Sequence, residues 1–450
     1  MANVIKLRKG LDVNLKGKAA KELFQAERSG VYALMPDDFT GMKPKVVVKE
    51  NDVVKVGDAL FVDKNHPEVK FVSPVSGKVV AVVRGERRKV LSVQVEADAE
   101  QQYVDFGKKN VALMDAKSVK DLLLESGLFG FFKQRPFDVT ANPEDTPKAI
   151  FVSAFNSMPL AADFQFVLQG READFQAGLD ALAKIAKTHL GVSTKQNAAA
   201  LTAAKNVTVT YFSGAAPAGN VGVQINHVDP INKGEVVWTL GAEEVIFIGH
   251  LLNTGKLDFT RVIAVAGSQI KKPAYCKAII GSQMSSILKN NVNEDRHIRI
   301  ISGNVMTGVK TSADGFLGAH ATEVNVIPEG DDVHEMLGWI MPRCNEYSTS
   351  RSYMSWLFGK KKEYTLDARI KGGERHMIMS NEYDRVFPMD IFPEQLVKAI
   401  ITGDIDRMEA LGIYEVAPED FALCEFVDSS KLEVQRIVRE GLDMLRKEMA

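Results

Sequence analysis

The sequence has little of what usually carries chemistry. Its 450 residues include three cysteines, Cys276, Cys344 and Cys424, far apart and without a C-x-x-C pair. Zinc and iron–sulfur sites draw on clustered thiolates, so this spacing excludes such a site built from the chain's own cysteines. A sparse, odd count also fits a reducing compartment. The eight histidines form no H-E-x-x-H and no i, i+4 pair, and read as packed or surface residues. A G-x-S-x-G elbow is absent. The opening, Met1 to Gly10, is charged and lacks the apolar core of a signal peptide. A membrane span needs about 20 apolar residues. The best stretch, residues 149–168, is broken by Asn156, Pro159, Asp163 and Gln165. The expectation is an intracellular chain that meets a membrane only through a partner or a surface patch. Charge is balanced, 56 basic against 58 acidic residues for a net −2, so there is no basic footprint for nucleic acid.

What is present is ordinary globular material, 45% apolar and 25% charged. Its length suggests about three domains at roughly 150 residues each. Residues 1–100 read as β. Val46 to Val62 carries short β-branched runs around the turn pair Gly57-Asp58, and Phe71 to Val83 is punctuated by Pro74 and Gly77. This pair of runs resembles the biotinyl/lipoyl barrel-sandwich fold. Lys64 falls at the hairpin tip between them, either as a swinging-arm lysine or as a solvated turn residue. The turn reading is preferred, because the Met-Lys-Met of biotin carriers is missing.

Residues 101–257 alternate helix and strand, as a mainly parallel α/β sheet does. Ser118 reads as the cap of a helix that stops at Gly127. Phe175, Leu179, Leu182, Ala186 and Leu190 fall at helical spacing up to Gly191. Val207–Phe212 alternates like a strand, and Glu243–Leu252 is an apolar element, helix or strand. Residues 258–330 return to β, with a short helix at Met284–Leu288. Residues 331–450 become mixed and then helical, with amphipathic stretches at Leu396–Ile401 and Val434–Met449.

Three segments are candidates for chemistry or contact. Gly214-Ala-Ala-Pro-Ala-Gly219-Asn-Val-Gly222 follows a strand, where a phosphate loop would sit. It is neither G-x-G-x-x-G nor a P-loop, so a turn that lets backbones approach is preferred. Gly127 to Phe137 packs four phenylalanines beside Lys133 and Arg135, a pattern read first as core. Within it, Phe131, Phe132 and Lys133 form an aromatic slot beside a cation, a candidate contact for a quinone headgroup. Trp356, Leu357 and Phe358 stand next to Lys360, Lys361 and Lys362. This apolar wedge beside positive charge suits a membrane surface or a membrane partner as well as it suits a core cluster.

Taken together, further stretches carry a resemblance along nearly the whole chain. They are Asn3 to Asp12, Phe71-Val-Ser-Pro-Val-Ser-Gly77, Arg84-Gly-Glu-Arg-Arg88, Asn220 to Pro230, Gly372-Gly-Glu-Arg375 and Tyr383 to Ile391. In this order the chain resembles the NqrA family, which supplies one of the subunits of bacterial sodium-translocating NADH:quinone oxidoreductases. Gln224-Ile-Asn-His227 departs from the His-Ile-His form of the family. That family is related to RnfC and to the flavin-binding subunit of respiratory complex I. Those relatives join an α/β flavin domain to an SLBB β-grasp domain and a cysteine-rich iron–sulfur region.

The resemblance implies a multi-domain α/β fold. Residues 1–100 would form a barrel-sandwich domain and 101–257 a Rossmann-like domain. Residues 258–330 would be the SLBB β-grasp domain and 331–450 a C-terminal domain without the cluster cysteines. The relatives' flavin loop, Gly-Arg-Gly-Gly, corresponds to Gly130-Phe-Phe-Lys133, where two rings replace glycines that backbone approach needs. Of the cluster cysteines only Cys344 would remain, and one thiolate cannot hold a cluster. The expectation is thus a peripheral subunit on the cytoplasmic face of the inner membrane, against the membrane subunit NqrB. It would bear no catalytic or metal site and no cofactor of its own, and would be inactive alone. Flavins and an iron–sulfur centre would sit on partner subunits, and ubiquinone or menaquinone is the candidate ligand. The alternative is a lipoyl-like carrier or adaptor.

Overall fold

The computed structural model describes residues 3–293, 295–333, 337, 340–359 and 361–449. Two small antiparallel sheets make the barrel sandwich. One orders Val31–Leu34, Val90–Ala97, Gly77–Arg84 and Val53–Val54; the other orders Pro44–Val46, Ala59–Asp63 and Lys70–Val72. Alternation along these strands points Leu60, Val79, Val93 and Val95 into a shared core.

Residues 1–100 do not fold as one block. Asn3–Lys6 leaves the barrel and runs parallel to Thr208–Ser213 as the edge of a seven-stranded sheet. Ala20–Phe24 runs parallel to Ala274–Ile279 at the edge of a six-stranded sheet. Each covers the bare edge of a larger sheet, which satisfies backbone groups on both sides of the pairing.

The seven-stranded sheet has the order Asn3–Lys6, Thr208–Ser213, Thr188–Ser193, Ala149–Ser153, Val237–Gly241, Lys133–Arg135, Val139–Thr140. Its first five strands are mutually parallel and the last two antiparallel. Helix Ala116–Ser126 precedes it. Its cap is Asp115, whose carboxylate accepts from the Ser118 amide at 2.9 Å, and not Ser118 itself. An aspartate at that position satisfies an amide that the helix leaves free. Gly127 ends the helix at φ 78°. Helix Glu172–Ile185 is shorter than its spacing suggests. It stops at Ala186, and Leu190 and Gly191 belong to the next strand. Gly191 is a close-approach glycine there, because an added Cβ would collide with the Gln224 side chain. The Glu243–Leu252 element is a helix, Ala242–Thr254, ended by Gly255 at φ 78°.

The six-stranded sheet orders Val309–Thr311, Ile298–Ser302, Glu323–Pro328, Thr260–Ala266, Ala274–Ile279 and Ala20–Phe24, with helix Met284–Leu288 beside it. The last described part carries helices Pro393–Thr402, Ile405–Ala410, Ala422–Val427 and Val434–Glu448 around a core that also takes in Met158, Ala216 and Val223 of the α/β part. In Val434–Glu448, Val434, Val438, Leu442 and Leu445 repeat at helical spacing and are fully buried. The barrel and the seven-stranded sheet likewise share one continuous core, so those two parts are fixed to each other.

A cleft at the strand switch point

From Ala149–Ser153 the chain winds one way, to Thr188–Ser193 and then Thr208–Ser213. It returns on the other side at Val237–Gly241. The two strands flanking this reversal end together, with Ser153 paired to Gly241. Loops leaving them diverge, which opens a crevice beyond their carboxyl ends, the place where open α/β sheets bind ligands. A cleft of about 270 Å³ occupies it.

Three parts of the chain build its walls. Phe131, Phe155, Met158 and Phe164 supply apolar surface, and helices Val221–Val228 and Ala242–Thr254 begin at it. Lys133 and Asp138 come from the hairpin, His320 from the six-stranded-sheet region and Glu419 from the C-terminal part. Gly219 lets two loops meet: a Cβ there would lie 2.7 Å from the Ser157 amide and 2.8 Å from the Phe155 oxygen. Ser153 locks the same corner, donating to the Gly219 carbonyl at 2.8 Å and accepting from Gln224 at 2.8 Å.

Behind the walls lie two buried ion-pair systems. Arg261 donates to Glu244 and to the Ala319 carbonyl, both at 2.6 Å, and its guanidinium lies 5.0 Å from the Phe247 ring centroid. Burial pushes the Glu243 carboxyl up to about 8. For Glu244, burial is outweighed by Arg261 and His320, which hold it down to about 2. The two acids thus divide one guanidinium, with Glu244 ionised and Glu243 a proton carrier near neutral pH. Arg135, also fully buried, donates to Asp420 at 2.9 Å, to Glu419 at 3.2 Å and to the Glu415 carbonyl at 3.1 Å.

Two of the three residues of the aromatic slot reach the cleft. Phe131 lines it and packs edge-on against Phe39 at 5.7 Å and His320 at 5.4 Å; Lys133 lines it two residues on. Phe132 does not. Extended backbone turns it to the opposite face, where it stacks on Phe129 at 5.5 Å and meets Trp238 edge-on at 5.8 Å. Gly130 faces Phe71 of the barrel, 2.7 Å from where its Cβ would be, so that glycine serves packing between domains. The turn at 214–222 brings backbones together at Gly219, as its spacing suggests.

The sequence reading missed Glu243, Glu244, His320 and Glu419. Two adjacent acids opening an apolar helix were the available signal for the first pair.

The other candidates lie elsewhere. Trp356, Leu357 and Phe358 stand on a single 3-10 turn, Met354–Phe358, and are 49%, 62% and 61% exposed. Lys362 is drawn back over the Phe358 ring at 4.3 Å, and Lys361 is exposed. Lys360 lies outside the described residues. Lys64 is exposed at its hairpin tip, where the Asp63 carboxylate accepts from the Lys43 and Asn65 amides at 3.1 and 3.0 Å and fixes the turn. Cys276 and Cys424 are buried and Cys344 half-buried, and none is in a disulfide. Among the described residues, no group of three or more His, Cys, Asp or Glu is placed to hold a metal ion.

The architecture defines a class first: a mixed α/β multi-domain protein that joins a barrel sandwich, an α/β domain with a cleft at its switch point, and an SLBB-like domain. Three family models match in that order: the NqrA N-terminal barrel-sandwich hybrid domain over residues 5–98, the NqrA second alpha/beta domain over 114–257 and the NQRA C-terminal domain over 262–313. The NqrA subunit of the Na(+)-translocating NADH-quinone reductase from Haemophilus influenzae (strain PittGG) is 36% identical over 99% of this chain and 100% of that protein. Its counterpart from Yersinia pestis bv. Antiqua (strain Angola) is 36% identical over the same shares. The chain belongs to the NqrA family of Na(+)-translocating NADH-quinone reductase subunits. An NAD+-reducing [NiFe]-hydrogenase structure in the H2-reduced state aligns over 75% of this chain and 64% of that chain, at 12% identity and a TM-score of 0.38, a likeness too slight to argue from.

Proposed function

We propose that this chain is the peripheral NqrA subunit of a sodium-translocating NADH:quinone oxidoreductase, seated on the cytoplasmic face of the bacterial inner membrane against the membrane subunit NqrB. The observation that carries the reading is its end-to-end identity with proteins of that name. Among the described residues, no helix is long and apolar enough to cross a membrane, so attachment to the membrane falls to a surface. The exposed Trp356, Leu357 and Phe358 turn, with Lys361 beside it, is the contact we assign to the membrane partner. The α/β part is a Rossmann-like frame and the C-terminal part a helical one. Electrons travel through flavins and an iron–sulfur centre on partner subunits, and the isolated chain is inactive.

Within that role the cleft takes the headgroup of ubiquinone or menaquinone. Phe131 offers apolar ring surface, and Lys133 a donor for a quinone oxygen. A tagged chain purified from membranes is expected to bring the NADH:quinone reductase with it, and its deletion to abolish NADH-driven sodium uptake by vesicles. A complete, sodium-pumping enzyme without the chain would refute the role. A photoreactive quinone is expected to label Phe131 or Lys133 in the complex; labelling confined to other subunits would refute the cleft's part in it.

A further inference from the structure

Ligand clefts at a switch point attract phosphates with two devices, the free amides of helix N-termini and arginine or lysine side chains. Both devices are present here, and a carboxylate stands beside each of them. Helix Val221–Val228 starts at the cleft, and the Asp420 carboxylate lies against its first turn, where a Cβ on Gly222 would collide with it. Helix Ala242–Thr254 also starts there, and Glu244 folds back over Gly241 in the same way. The two nearby guanidiniums are turned away from the cavity and held by these acids. Arg135 lies 2.9 Å from Asp420 and 3.2 Å from Glu419; Arg261 lies 2.6 Å from Glu244 and 3.7 Å from Glu243. The pattern is the same twice: adjacent acids, one buried arginine, one helix start. The ionisable side chains lining the cavity are four acids, Asp138, Glu243, Glu244 and Glu419, against Lys133 and His320.

We propose that the Glu243–Glu244 and Glu419–Asp420 pairs are the specificity determinants of the cleft, which make it refuse phosphate-bearing ligands and admit an uncharged ring with carbonyl oxygens. The admitted class rests on the quinone reading above; the refusal of phosphate does not. The parent reaction uses one substrate of each kind. NADH brings a negatively charged pyrophosphate, and a quinone headgroup brings none. A carboxylate a few ångströms from a bound anion weakens it by roughly tenfold or more at protein-like dielectric. The filter therefore keeps the nucleotide out of a cavity whose helix ends would otherwise draw it.

Two arms test this on the full chain. The first measures inorganic pyrophosphate binding by calorimetry. Burial raises Glu243 to about 8 and Glu419 to about 7, so the measurement is made at about pH 9, where both are ionised. There the double variant Glu243→Gln/Glu419→Gln keeps side-chain shape and removes two charges, and is expected to bind pyrophosphate at least about tenfold more tightly than the unaltered chain. No gain in a folded variant, or tight pyrophosphate binding by the unaltered chain, overturns the proposal. Glu419→Gln alone, at a side chain 42% exposed, carries this arm where the double variant does not fold. The second arm compares a naphthoquinone with its sulfonated form on the unaltered chain. The sulfonated form is expected to bind at least about tenfold more weakly at low salt, with the gap narrowing as salt rises. Equal or tighter binding of the sulfonated form overturns it. Binding of neither form removes the quinone reading and leaves the pyrophosphate arm to decide the filter.

Discussion

Gly249, in the middle of helix Ala242–Thr254, lies directly against the backbone carbonyl of Asp174 on helix Glu172–Ile185, so that an added Cβ would collide with that oxygen. The same pair of helices meets again at Gly178, where a Cβ would strike the Val245 carbonyl. Asp174 then ties the contact with its side chain, which accepts from Asn253 at 2.8 Å and lies 3.2 Å from His250 Nδ1. Because the first of these helices carries Glu243 and Glu244 at its start, this packing sets where the cleft's acids stand. Gly249→Ala is expected to destabilise the chain by about 3 kcal/mol, an overpacking effect in a site that cannot yield. Gly373→Ala, where an added Cβ meets nothing, should stay within about 0.5 kcal/mol. Chemical denaturation of the two variants checks the contrast.

Arg135 and Asp420 connect the sheet to the C-terminal part across 285 positions of sequence, with both side chains fully buried. Breaking such a pair leaves an unpartnered charge in a dry site. Arg135→Met is therefore expected to cost about 3–5 kcal/mol. The double variant Arg135→Met/Asp420→Leu removes both charges and should recover a substantial part of that loss. A double variant no more stable than Arg135→Met, by denaturant midpoint, would show that the pair is not the source of the effect.

Much of the frame was legible from local pattern. The turn at Gly57-Asp58, helix Met284–Leu288 and the amphipathic stretch from Val434 each show in the spacing and turn residues of their own segment. Long-range pairing was not. Nothing near Asn3–Lys6 says that its partner is Thr208–Ser213, because an edge strand's own composition does not encode which edge it covers. The cleft shows the same division. Phe131 and Lys133 were visible as an aromatic–basic cluster, whereas Phe132 was grouped with them because the period-two alternation of the chain there was not recognised. Glu419 reaches the cleft from 284 residues beyond Arg135, a distance that only the folded chain closes.

Glu243 makes stability depend on pH in a definite direction. Its folded value, pushed up by burial to about 8, lies above the ordinary 4.5 of an unfolded glutamate. Between those values the folded state binds the extra proton, so stability falls as pH rises through the window. Glu243→Gln cannot ionise and should lose this slope. The variant is expected to gain on the unaltered chain steadily from about pH 4.5 to 8, read as the difference in melting temperature at each pH. A difference that does not change with pH would place the proton elsewhere.

The Trp356, Leu357 and Phe358 turn should separate assembly from folding. The three side chains are about half or more exposed and lie outside the buried cores, so the chain's own stability does not depend on them. Large apolar side chains contribute roughly 1.5–3 kcal/mol each when an interface buries them. Replacing all three with serine is expected to leave the melting temperature of the isolated chain unchanged. Loss of about 3 kcal/mol of contact would weaken docking to the membrane partner roughly a hundredfold and deplete the chain from purified complex. Arg351, 5.6 Å from the Trp356 ring centroid, and Lys362 over Phe358 hold their cations against these rings, so their hold on the surface should loosen as well. Undiminished complex yield from the triple variant would assign the membrane contact to another face of the chain, and a lowered melting temperature would return the turn to the core.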